Sequence, residues 1–166
     1  MPPAASAEPA PAASYVTSHI HVDGPIPGPH SLLSVVSVAH TADGEALGAF
    51  TVNVRELPGA GLHPDALQQW RRRAEDWLTT RRGSRPPAPA MIAFTGWIAD
   101  LPGEKVFVTD PAQPDYLFLF WYLQRFAGQW PFARVSAQAP RTALAPAGLC
   151  PLGGCRAQTP ALTGTG

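Results

Sequence analysis

"SHIHVDGPIPGPHSLLSV", Ser18–Val35, is the stretch on which the reading of this chain turns. With the residues just before it, its first half alternates. Val16, Ser18, Ile20 and Val22 fall on one side, and Tyr15, Thr17, His19 and His21 on the other. A period of two is that of a β-strand. Residues i and i+2 of a strand share a face, so His19 and His21 are predicted side by side on one surface. The Pro/Gly run from Gly24 to His30 is turn chemistry. Leu32 to Ala39, rich in Val and Ser, predicts a second strand. Asp43-Gly44 is a hairpin turn signal, and Phe50, Val52 and Val54, alternating with Thr51, Asn53 and Arg55, predict a third strand.

The period then changes. Leu67, Trp70, Ala74, Trp77 and Leu78 recur at intervals of three and four, which predicts one helix opening at Pro64-Asp65 and ending at Gly83. On it, Arg71 and Glu75, and Arg72 and Asp76, are spaced to pair. Met91, Phe94, Ile98 and Leu101 predict a second helix closed by Pro102-Gly103, and Val106–Thr109 a short buried strand. A third helix, Tyr116 to Ala127, is apolar nearly all round and is expected to be largely buried. Three strands, two helices, a strand and a helix make an α/β mixed sheet flanked by helices. The 166 residues suffice for one core, over 15–132. Ala/Pro-rich residues 1–14 read as a disordered arm. From Ala133 to Gly166 there is neither an aromatic nor an acidic residue, which predicts an irregular tail.

Twelve basic residues balance twelve acidic ones, so any nucleic-acid partner must be argued from local patches rather than from net charge. The opening residues lack the basic flank and apolar run of a signal peptide, and the most apolar run, Tyr116–Leu123, is far too short to span a bilayer. A soluble cytoplasmic protein with no membrane partner is the expectation. Cys150 and Cys155 form a single pair without two further ligands nearby and make a poor zinc site.

Three blocks carry a likeness: "HVDGPIPGPHSLLSV", "FTVNVRELPGAGLHPDALQQW" and "VFVTDPAQPDYLFLFWYLQRFAG". Together, over about residues 15–132, the chain resembles DEDD-type 3′–5′ exonucleases of ribonuclease H-like fold, in particular bacterial ones with a DGPIPGPHS loop after the first strand. The resemblance implies a two-metal site acting on single-stranded RNA or DNA ends, with Asp-x-Glu on the first strand. Counting back from Asp23-Gly24-Pro25, those two positions are His19 and His21. The family acid at the start of the helix after the fourth strand matches Asp115. As Asp115 is the last acid of the chain, the family's C-terminal motif has no counterpart. At most one of four carboxylates remains, and the expectation is a catalytically degenerate domain.

The metal-site positions are therefore His19, His21 and Asp115. The resemblance implies Mg²⁺ or Mn²⁺, whereas imidazoles suit Zn²⁺ or Ni²⁺ better. The other reading makes the histidines water-satisfied polar residues of an empty cleft, and Asp115 a helix-terminal acid that receives backbone N–H bonds. His30 and Ser31 would border the cleft within reach of a phosphate, and Arg71, Arg72 and Arg73 could hold a single-stranded nucleic-acid backbone. Loss of the family's final helix would bare an apolar surface near Trp121, Phe126 and Trp130, open to a homodimer or a protein partner.

Overall fold

The computed structural model describes residues 12–139; the cysteines and most of the predicted arm and tail lie outside them. A five-stranded sheet forms from β1 (Ala13–Val22), β2 (Leu32–His40), β3 (Ala46–Asn53), β4 (Glu104–Val108) and β5 (Arg134–Ser136), in the order β3-β2-β1-β4-β5. The first three are an antiparallel meander, while β4 runs parallel to β1 and β5 parallel to β4. The helices are α1 (Pro64–Arg72), α2 (Ala74–Arg81), α3 (Pro87–Asp100) and α4 (Asp115–Tyr122), the last continuing as a π-helical turn, Leu123–Ala127. The architecture is α/β: a mixed sheet flanked by helices. No described helix is long and apolar enough to cross a membrane.

The alternation read from the sequence sets the two faces of the sheet. Val16, Ile20, Val35, Ala39, Val52 and Phe107 point to one side and form the core with Met91, Phe94 and Ile98 of α3 and Phe118, Leu119 and Tyr122 of α4. Within that face, Ser18 and Ser37, opposite each other, share a hydrogen bond of 2.7 Å, so neither hydroxyl is stranded. The opposite face carries His19, His21, Ser34, Thr51 and Asn53. The amide of Asn53 donates to the Thr79 and Arg82 carbonyls at the end of α2, 3.0 and 3.1 Å away, and holds that helix to the sheet. Arg81 adds bonds to the Leu33 and Val54 carbonyls and an ion pair with Glu56 at 2.5 Å.

Five expectations need correction. β1 starts at Ala13, inside the predicted arm, because Ala13–Thr17 pair with Glu104–Val108 and Ser14 is buried with its hydroxyl donating to Pro102 O at 2.6 Å. The single helix predicted to Gly83 is two, broken at Arg73, whose φ of −129° is not helical. Beyond the break the buried face rotates: Thr80 is buried, while Ala74 and Leu78 are exposed. Arg73 pairs with Asp76 at 2.6 Å, in place of the predicted Arg71–Glu75 and Arg72–Asp76 pairs. Arg134–Ser136, read as tail, forms β5. Lastly, α4 is only half buried, with Tyr116, Leu117 and Phe120 39%, 50% and 38% exposed.

Candidate functional site

β4 pairs with β1 only as far as Thr17, yet β1 runs on to Val22. The central strand therefore projects beyond its parallel neighbour, and the space beside it is where ligands bind in open α/β sheets, at the carboxyl ends of strands. Its two histidines lie on this projection. Their rings meet edge to face with centroids 5.2 Å apart, His19 exposed and His21 half-buried.

Each imidazole has its own surroundings. His21 Nδ1 is 2.8 Å from the Ser34 hydroxyl on the neighbouring strand, and its ring lies 5.5 Å from that of Trp70, whose indole N–H donates to Val22 O at 3.3 Å. Burial lowers the pKa of His21 below the ordinary value, and positive charge on His19 and Arg73 lowers it further. Both effects favour the neutral ring. His19 is electrostatically coupled to Asp115. The Asp115 carboxyl is raised above the usual carboxylate range by burial, against the opposing pull of His19. Among the described residues the Asp115 side chain caps no helical N–H, so the helix-terminal role read from the sequence lacks its hydrogen bond.

His19, His21 and Asp115 thus come to one neighbourhood at the end of β1. They do not amount to a metal centre: among the described residues, no three His, Cys, Asp or Glu side chains are arranged to hold an ion. The donor set also departs from what Mg²⁺ demands, with one carboxylate and two imidazoles where hard oxygen ligands are needed. Asp23 does not join them. It is buried at the strand's end and its carboxylate accepts the Ser31 N–H.

The polar groups of the Pro/Gly loop are largely taken up within the loop and by the segments packed against it. Asp23 N–H donates to Ser31 O, and Asp23 O accepts from His63 N–H. Ser31 is wholly buried, its hydroxyl accepting the Leu57 N–H at 3.0 Å, and so is not free for a phosphate. The His30 ring lies against Gly24, where any Cβ would overlap it, and its Nδ1 is 2.7 Å from Gly61 O. Leu32 N–H donates at 2.8 Å to the buried Tyr122 hydroxyl, which ties the loop to α4. Burial pushes the Tyr122 pKa up to about 12, so this phenol stays a neutral acceptor. Of the three arginines, Arg73 alone is electrostatically coupled to His21; Arg71 and Arg72 are exposed on α1.

Beside the loop runs a groove of about 320 Å³ between β1, α1 and the start of α4, lined by Val22, Gly24, Pro25, His63, Asp65, Gln69 and Pro114 among others. His63 caps α1 through the Asp65 N–H and is 5.5 Å, ring to ring, from His30. Sequence reasoning assigned no role to His63 or Gln69 and gave Asp65 only a place in the first turn of the helix; the only signal was their position in and just after "GAGLHPD". The apolar surface also differs in membership. Trp121, Phe126 and Trp130 are half-buried, and the exposed side chains are Tyr116, Leu117 and Phe120 of α4 with Val135 of β5.

Comparison with protein-family models and with curated proteins finds no match for this chain.

Proposed function

We propose that this chain is a ribonuclease H-like domain of the 3′–5′ exonuclease type that has lost two-metal chemistry and retains at most weak binding of single-stranded nucleic acid. The observation that carries the reading is the pair His19–His21 on the projecting end of the central strand, beside Asp115 at the first turn of α4. By the resemblance, these positions correspond to those at which the exonucleases gather carboxylates, and two of the three side chains here are imidazoles. A neutral imidazole supplies neither the negative charge nor the bridging oxygen that holds two Mg²⁺ ions together. What the residues present can do is accept or donate hydrogen bonds at His19, beside a His21 ring that is coupled to the Arg73 guanidinium.

A second reading, a protein-interaction module on the same scaffold, is favoured by Tyr116, Leu117, Phe120 and Val135, which form an exposed apolar set beside a groove of about 580 Å³. Two measurements separate the readings. Purified protein with Mg²⁺ or Mn²⁺ should leave a labelled single-stranded oligonucleotide undigested, and His19→Asp with His21→Glu should not restore full activity. Robust digestion lost in Asp115→Asn would overturn the degenerate reading in favour of an active nuclease with a histidine-containing metal site. Binding of the same oligonucleotide should be weak and should fall with added salt. No binding at low salt would favour the interaction module.

A further inference from the structure

The sheet ends on one side at β5, only three residues long, and on the other at β3, which has eight. Natural edge strands are usually protected by charge, proline or brevity. β3, with the sequence ALGAFTVN, has no charged residue and no proline. Its one irregularity is the register shift near Ala46–Gly48.

The backbone directions along β3 are fixed by its neighbours. Val54 N–H donates inward to Leu33 O, while Asn53 O and Arg55 N–H bond outward to Arg85. By alternation, the N–H and C=O of Ala49 and Thr51 also point outward. Among the described residues nothing bonds them there. The free stretch is bounded, because Arg85 occupies the edge from Asn53 onward. Its middle residue, Phe50, is half-buried with its ring 5.3 Å from Phe94 and 5.6 Å from Trp97, which is half-buried in turn.

We propose that β3 is a self-association edge: two copies of this chain pair antiparallel over residues 48–52, about a two-fold axis through Phe50. In that register Ala49 of each copy lies opposite Thr51 of the other, and each pair exchanges two backbone hydrogen bonds. Phe50 faces its own counterpart in the closer, non-hydrogen-bonded position, where aromatic pairs gain most from contact. A second copy fits better than an unrelated strand for two reasons. An uncharged strand has no like charges to oppose when paired with itself, and twelve basic residues balance twelve acidic ones over the whole chain, so two copies do not repel. The half-exposed Phe50–Trp97 surfaces also become continuous across the axis. Five paired residues bury much less than the ~1,200 Å² of a tight interface, so the dissociation constant is expected at roughly 10–100 μM.

Sedimentation velocity on the full chain tests this, from about 2 to about 200 μM, with a monomer–dimer shift expected across that range. Ala49→Lys with Thr51→Lys sets like charges opposite each other at both pairs and should weaken the dimer at least ~10-fold. Ala49→Glu with Thr51→Lys sets opposite charges across the same pairs and should keep it near the unmodified affinity. Both positions are exposed, so neither change disturbs the core. Amide exchange on the unmodified chain gives a readout free of variants: Ala49 and Thr51 should exchange more slowly at high concentration than at low. A monomer throughout the range, a dimer that both double variants leave alike, or exchange at Ala49 and Thr51 independent of concentration would each overturn the proposal.

Discussion

Protonating His21 would place a charge between the Trp70 indole and the His19 ring, with the Arg73 guanidinium close by. Its folded-state pKa is lowered, so below pH 6.5 the unfolded chain takes up this proton more readily than the folded one. The stability contribution is fully present above 6.5 and is lost as pH falls from there through the folded value. Urea unfolding at pH 7.5 and 5.5 should therefore show a larger loss for the unmodified protein than for His21→Gln, and NMR titration of the His21 ring should give a midpoint below 6.5. The Tyr122 hydroxyl provides a second case. Tyr122→Phe leaves the buried Leu32 N–H without an acceptor and should cost about 1–3 kcal/mol in chemical denaturation, with the fold retained. Period-two spacing was enough to put His19 and His21 on one face. Tyr122 read as core and is core, but its bond to Leu32 joins positions 90 residues apart, and no local pattern encodes it.

Among the elements, those with a full period were legible. The meander, α3 with Met91, Phe94, Ile98 and Leu101 buried, and β4 all follow from spacing and turn residues. The break at Arg73 was not, because every residue from Leu67 to Leu78 tolerates a helix. What ends α1 is tertiary: the Trp70 indole is held to Val22 O and packs 5.2 Å from Trp77, and α2 is held to the sheet by Asn53 and Arg81. Three residues of β5 are too few to show an alternation at all. Removing one of these attachments should be measurable. Asn53→Ala deletes both bonds to the end of α2 and should lower stability by about 1–2 kcal/mol, with faster amide exchange in α2 than in α3. In the loop after β1, Gly24→Ala would drive a methyl into the His30 ring and displace it from Gly61 O. Thermal melting should show that loss, and the milder His30→Ala should relieve the clash when combined with it.

For the molecule as a whole, the candidate site exists because strands of unequal reach lie side by side, with β1 outrunning β4 by the five residues Ser18–Val22. The sequence predicted which side chains that projection carries. It did not predict that Ser31 would be consumed inside the loop, since a serine beside a Pro/Gly run reads alike whether its hydroxyl faces out or in. β5 should also matter globally. It bonds to β4 through Ala133 N–H on Lys105 O and Thr109 N–H on Ser136 O, and ion-pairs Arg134 with Glu104. A chain ending at Ala133 should therefore melt about 4–8 °C below one ending at Ala139, by calorimetry. Equal melting temperatures would mean that β5 adds nothing to the sheet.

The middle strand of this sheet is also the earliest in the chain, and that orders its assembly during synthesis. β1, β2 and β3 can join as soon as they leave the ribosome, because each contact spans a short loop. The other flank of β1 must wait for β4, whose anchoring contact, Ser14 to Pro102, closes a loop of 88 residues. Until then the nascent chain presents the bare flank of its central strand, and arrival of β4 is the expected slow step. Chaperone dependence should accordingly be greatest for chains stalled before Glu104 and should fall once Val108 has emerged.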